Sequence, residues 1–422
     1  MANLRDVSVV IVGAGPVGLT VAALLLASSH SDRWRIHVLE PRSVPAWDPE
    51  QMDLRVYALS RATQHIFEYL GVWQQLTSAR ASPYQRMHIW EGDYAGRLGS
   101  LSFDSAEVGE PDLGHIVEDR LIRDRLFQLL NASDKVDLRI GAQLAAVRQG
   151  KRAIEIDTQT GETIQATVLI AADGGMSTVR QLMDLPVTAV PYGQDAVVTH
   201  VTTEKSHAET AWQRFLPDGP LAFLPLLDGR SSVVWSMSSE NARRLSAAAE
   251  QSFIDELQTA SGGVLGTIKS GASRASFPLG ALHANRYCCA RVALVGDAAH
   301  TIHPLAGQGM NLGLLDAAAL ADTLAAALDQ GEDPGDLRVL RRYERQRKGG
   351  NLKTLLGMDA LHRLFRLPGP LFAPLRSAGL SAIDTTPIAK RRLMREALGL
   401  AGELPNSARA RVALEYGDGL PK

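Results

Sequence analysis

From Val7 to Ala27 nearly every position is apolar, over about the length of a membrane span. Gly13, Gly15, Pro16 and Gly18 nevertheless cluster inside the run, which argues against one continuous helix. Arg5 is offset by Asp6 and no small-residue cleavage site closes an uninterrupted apolar core, so a signal peptide fits poorly. The pattern instead predicts a buried parallel strand over Ser8–Val12, a glycine turn, and a helix from about Pro16 to Ser28. No membrane span is therefore predicted. A second strand, Arg35 to Leu39, ends at Glu40, and two distant runs, Val168–Ala172 and Arg291–Val295, share the same unbroken apolar character.

Segment 186–283 alternates instead. Leu221–Leu227 and Ser232–Met237 around Asp228-Gly229 predict a hairpin in a mostly antiparallel sheet, which Met87–Trp90 and Leu101–Phe103 are expected to join. Phe215, Phe223, Trp235 and Phe277 are candidates to line an apolar pocket there, with ordinary core packing the competing reading for each. From Asn351 onward leucines recur at helical spacing on either side of a Pro368-Gly369-Pro370 break, interleaved with Arg363, Arg366, Arg376, Lys390, Arg391, Arg392 and Arg395. This region suits a face on a membrane surface and equally a helical layer packed on the first domain.

Three stretches carry chemistry. Gly13-Ala14-Gly15-Pro16-Val17-Gly18 matches G-x-G-x-x-G between a strand and a helix. The glycines permit the turn, the approach of a pyrophosphate and close helix packing. Glu40 follows Gly18 at the distance where a carboxylate bonds ribose hydroxyls, which suits FAD or NAD and disfavours NADP. Asp173-Gly174-Gly175-Met176-Ser177-Thr178-Val179-Arg180 leaves the second apolar run, with its acid at the carboxyl end of a strand, where doubly wound sheets bind ligands. Asp173 as a simple N-cap is the competing reading. The third run leads into Gly296-Asp297-Ala298-Ala299-His300 and on through Pro304, Gly307, Gly309, Met310 and Asn311 to an Ala/Leu-rich helix. Its first amides are suited to an anionic ring oxygen, and Asp297 to a sugar-alcohol hydroxyl.

In this order the three motifs resemble the class A flavoprotein aromatic hydroxylases, proteins similar in fold to para-hydroxybenzoate hydroxylase. The resemblance implies that Gly13, Gly15, Gly18 and Glu40 hold the adenosine half of FAD, that Asp173 lies near the pyrophosphate and Asp297 binds the ribitol, and that Pro304–Asn311 border the flavin ring. His303–Gly313 with Asp316, Asp53–Ser60, Phe215–Leu226, Leu340–Lys348 and the tail from Ala397 to Pro405 are similar to the ubiquinone-biosynthesis hydroxylases, with features favouring the 2-octaprenylphenol hydroxylase branch. That likeness brings Arg55 near the flavin. It implies NAD(P)H as reductant, O2 as co-substrate, a flavin hydroperoxide as oxygen donor and a prenylated phenol as acceptor, with no side chain acting as nucleophile. One departure stands out: Asp119 occupies a position usually held by asparagine.

The implied fold class is α/β. A Rossmann-like FAD-binding domain, a parallel sheet with helices, covers 1–185 and 284–350; the antiparallel substrate-domain sheet, 186–283 with part of 80–115, interrupts it; and a helical region, 351–422, follows. Length alone is ample for such a core. With 44 basic against 46 acidic residues the chain lacks the basic balance of a nucleic-acid binder. Cys288 and Cys289, the only cysteines, are adjacent, which suits neither a disulfide framework nor a zinc site. A reducing cytoplasmic setting fits, with a peripheral position at the inner face of the membrane left open. His300 and His303 have no further ligands at metal spacing, so no metal is expected. A related hydroxylase of soluble aromatics or polyketides, a non-catalytic flavoprotein scaffold, and a plain NAD dehydrogenase are the competing readings. Homo-oligomers and membership of a ubiquinone-biosynthesis complex stay open.

Overall fold

A computed structural model describes residues 6–92, 99–271, 273–303, 307–367 and 372–410. Its first sheet has six strands in the order Cys288–Cys289, Val292–Leu294, Val168–Ala171, Val7–Val12, Trp34–Glu40 and Val136–Ile140. All neighbours are parallel except the short Cys288–Cys289 edge. Val9 lies between Val168 and Ile36, and Val9, Val10 and Ile11 are fully buried, as a sheet covered on both faces requires.

The helix Pro16–Leu26 opens on a proline whose fixed φ suits a first helical position. It packs against two other helices, Asp119–Asn131 and Gln308–Asp329. A Cβ on Gly313 would stand 2.9 Å from a Val17 methyl and 3.1 Å from the Gly296 Cα, so only glycine lets these helices and the third motif meet. Gln308–Asp329 is the one helix among the described residues long and apolar enough to cross a membrane, and 83% of its most apolar window is buried inside the protein. It is a core helix.

The second sheet runs His300–Thr301, Ala275–Ala284, Val187–Thr203, Ser231–Ser238, Gly219–Pro225, Thr210–Leu216, Arg86–Glu91 and Ser100–Asp104, with Ile268–Gly271 paired to Val187–Thr203. Only Thr210–Leu216 and Arg86–Glu91 pair in parallel. The fold is thus the expected α/β arrangement of a parallel sheet, a mostly antiparallel sheet and trailing helices. Two helices, Ser239–Ala247 and Glu250–Ser261, cover one face, where Val197, Leu221, Phe223, Val233 and Trp235 pack with Phe253 and Leu257.

That packing corrects the pocket expectation for Phe223 and Trp235, which are core residues beneath helices. Trp212 pairs with Phe223, so strand alternation turns Phe215 to the opposite face. There it stacks on Phe365 at 3.6 Å and 11°. Phe277 is 44% exposed.

Three helices follow, Leu337–Arg366, Phe372–Asp384 and Pro387–Ala397. Phe365 and Leu380 cluster with Leu101 at the edge of the second sheet, Arg376 pairs with Glu91 at 2.5 Å, and Met394 and Leu398 cluster with Leu113 beside it. The segment that follows returns to the main core, where Ala408 is buried and the Asn406 N–H donates to Asp322 at 2.7 Å. Leu352, Leu356, Leu361, Leu364, Leu367 and Leu375 remain exposed. The Pro368–Pro370 break lies outside the described residues.

Candidate active site

The three motifs meet at the carboxyl ends of adjacent parallel strands. Gly13 has φ +106°, and a Cβ there would stand 2.3 Å from the Ala172 carbonyl oxygen; a Cβ on Gly18 would stand 2.1 Å from the Gly13 oxygen. Both glycines are therefore required by packing. Gly15 differs, because nothing lies within 4 Å of the position a Cβ would take. Its surroundings leave room for a ligand to approach the backbone. Glu40 Oε2 accepts from the Ala14 N–H at 2.8 Å and Oε1 from the Arg42 N–H at 3.1 Å, so the carboxylate is held at the lip of this turn.

Asp173 is not the N-cap of the following helix. Ser177 caps it, accepting from the Arg180 N–H at 3.0 Å, while Asp173 Oδ2 accepts from the Val179 N–H at 3.1 Å. The other oxygen, Oδ1, is buried without a hydrogen-bond partner among the described residues. Such an atom wants a donor. Arg180 ties the second motif to the third by donating to the carbonyls of Ala298 at 2.9 Å and Gly175 at 2.7 Å.

Around Asp297, burial pushes the carboxylic acid pKa up while His300 and Arg55 pull it down. Arg55 lies over the Tyr57 ring at 5.4 Å, with Asp119, Asp297 and Asp53 as charged neighbours. The Tyr57 hydroxyl donates to Asp119 at 2.8 Å, and Arg123 lies 3.5 Å from the same carboxylate. The unusual acid at this position is thus committed to protein partners.

Gly307, with φ +61°, begins the Gln308–Asp329 helix, and a Cβ there would stand 3.2 Å from that of Ala58. Gly309 has ordinary room, 3.8 Å from Ile302, and Met310 packs half-buried on the main core. Asn311 is nearly fully occupied: Oδ1 accepts from the Ser60 N–H at 2.9 Å and the Thr63 hydroxyl at 2.8 Å, and Nδ2 donates to the carbonyls of Ala58 and Gly307. It clamps the Arg55-bearing segment to the helix start. Pro304 lies outside the described residues.

Sequence reasoning missed what holds this helix in place. Asp316, wholly buried, accepts from Arg347 Nε at 2.7 Å, Asn351 Nδ2 at 2.9 Å and the Gly296 N–H at 3.3 Å, and meets His300 Nε2 at 2.5 Å. An acid in the middle of an apolar Leu-Gly-Leu-Leu-Asp-Ala-Ala-Ala stretch was the available signal, since such a group needs buried partners. Among the described residues no group of His, Cys, Asp and Glu side chains is arranged to hold a metal ion.

Open space over Gly15, the unpaired Asp173 oxygen and a glycine-led helix start beside Arg55 and Asp297 fit a flavin dinucleotide. Fold and site together define a flavoprotein class, with FAD as cofactor. Residues 6–350 match the FAD binding domain family. The chain is 38% identical to the 3-demethoxyubiquinol 3-hydroxylase of Escherichia coli, over 94% of this chain and 99% of that protein. It is 36% identical to the ubiquinone hydroxylase UbiL of Rhodospirillum rubrum, over 93% and 89%. Among solved structures, the probable FAD-dependent monooxygenase PqsL of Pseudomonas aeruginosa matches with TM-score 0.72 and 25% identity, over 89% of this chain and 100% of that one. The chain belongs to the FAD-binding hydroxylases of ubiquinone biosynthesis, enzymes of the FAD-dependent monooxygenase class.

Proposed function

We propose that this enzyme hydroxylates the phenolic ring of a polyprenylated ubiquinone precursor. The observation that carries the reading is the likeness to ubiquinone-biosynthesis hydroxylases over almost the whole of both chains. In this reading Gly15 admits the pyrophosphate, Glu40 accepts from the adenosine ribose, Asp173 stands near the pyrophosphate and Asp297 takes a ribitol hydroxyl. Bound FAD supplies the electron and oxygen chemistry, with NAD(P)H as reductant and O2 as co-substrate. The chain's own part is to orient and shield. Backbone amides at Gly309 and Met310 favour negative charge at the helix start, and Arg55 adds a fixed positive charge nearby. Asn311 holds that arginine's segment in register.

The exposed leucines of the C-terminal helices support a peripheral contact with the membrane that carries such a substrate. Deleting the gene tests the reading. Mass spectrometry of the accumulating quinone precursor is expected to show a ring lacking one hydroxyl, and re-expression to restore quinone. Unchanged quinone in the deletion strain overturns it.

A further inference from the structure

Three distant parts of the chain meet at a second group of polar aromatics. His303 follows the His300–Thr301 strand, Tyr192 sits where Val187–Thr203 bulges between Pro191 and Gln194, and His362 comes from the helix Leu337–Arg366. Their ring centroids are 4.6 Å apart for the two histidines, 5.2 Å for Tyr192–His303 and 4.5 Å for Tyr192–His362. His303 is 1% exposed, yet neither ring nitrogen has a hydrogen-bond partner among the described residues, and Nδ1 of His362 has none either. Leaving a buried polar atom unpaired forfeits its hydration with nothing in return, so three in one cluster argue for a ligand that pairs them.

The tautomer of His362 follows from its neighbours. Gln194 Nε2 donates to the Asp218 carbonyl at 2.5 Å, which turns Gln194 Oε1 toward His362 Nε2 at 2.7 Å. That nitrogen must therefore carry the proton, and in the neutral ring Nδ1 is a bare acceptor. Neutral His303 offers one donor and one acceptor. Arg366 faces both rings from the long helix, Arg363 and Asp359 face His362, and the Tyr192 hydroxyl donates to Asp359 at 3.2 Å. Burial, His362 and Arg366 together push the His303 pKa down to about 3, so the ring is neutral at ordinary pH. What fits is a flat ring bearing a hydroxyl, which can pack on aromatic faces and both donate and accept.

We infer that His303 and His362 bind the ring oxygen of the phenolic substrate, His362 Nδ1 accepting its hydroxyl proton and His303 bonding the same oxygen. This rests on the proposed hydroxylase reading and assigns that reading its polar substrate anchor. The test compares two probes on FAD-loaded protein, 2-geranylphenol and its methyl ether, by the change each makes in the flavin absorbance spectrum. Wild type is expected to bind the phenol at least about tenfold more tightly than the ether. His303→Leu and His362→Leu bring that ratio close to one with FAD content unchanged, and His303→Gln, which keeps a donor and an acceptor, recovers part of it. A ratio that persists in both leucine variants overturns the inference, as does a wild type that binds both probes alike. A wild type that binds neither probe sinks the hydroxylase reading, and this ligand with it.

Discussion

His300 and His303 stand three residues apart, are equally buried at 1%, and meet opposite fates. His300 closes a network in which Asp316 is ringed by an imidazole, a guanidinium, an amide and a backbone N–H. His303 packs on the rings of Tyr192 and His362. Burial alone thus does not distinguish the two. His300 has Nε2 held by a carboxylate and only Nδ1 without a partner among the described residues, whereas both ring nitrogens of His303 lack one. A paired buried group holds the fold together, whereas an unpaired one costs stability until something outside the chain completes it.

The largest expected effect lies in the paired network. Asp316→Leu leaves Arg347 buried without its carboxylate, and urea unfolding should show a loss on the order of 3–5 kcal/mol. His303→Leu should leave the midpoint unchanged or raised, and an equal loss in both variants would erase the contrast. Asn351→Ala removes bonds to Asp316 and Arg347 and should cost about 1–3 kcal/mol by the same assay.

Acid separates the two regions further. Asp316 is raised by burial but more than compensated by His300, Arg347 and Asn351, reaching about 2. Its stabilisation is present above the unfolded value near 3.9 and is lost only as pH falls through about 2. The depressed His303 acts in a different window: between about 6.5 and about 3 the unfolded chain takes up a proton that the folded chain refuses, so stability falls as pH falls there. Thermal midpoints measured across that window should fall less steeply in His303→Leu than in wild type. The smallest effect on stability belongs to Gly15→Ala, whose Cβ meets nothing within 4 Å; its midpoint should not move, while flavin retained after dialysis should drop.

Legibility followed sequence distance. The glycine turn could be read because its pattern lies within one strand–turn–helix unit, and Gly18 packs against Gly13 as the spacing implies, although the strand that crowds Gly13 at Ala172 comes from far along the chain. Strand parity likewise grouped Leu221 with Phe223 and Val233 with Trp235. Which face the helices cover is not readable from parity, so Phe223 and Trp235 carry both a pocket and a core reading, and the structure places them in the core. Asp173 carries two readings in sequence because a cap and a ligand carboxylate share one local pattern; in the structure Ser177 is the cap and one Asp173 oxygen is unpaired among the described residues. The partnership of His303 with Tyr192 and His362 had no local trace at all.

By itself the sequence determined the alternation of buried strands and helices, the dinucleotide turn and the membership of a flavin-dependent family. These rest on periodicity and on short-range sterics that any fold must obey. Tertiary structure decided which buried polar groups are paired. Hydrogen bonding depends on ångström-scale approach between segments that only packing brings together, and it was packing that enclosed His300 with a carboxylate and left His303 facing other rings.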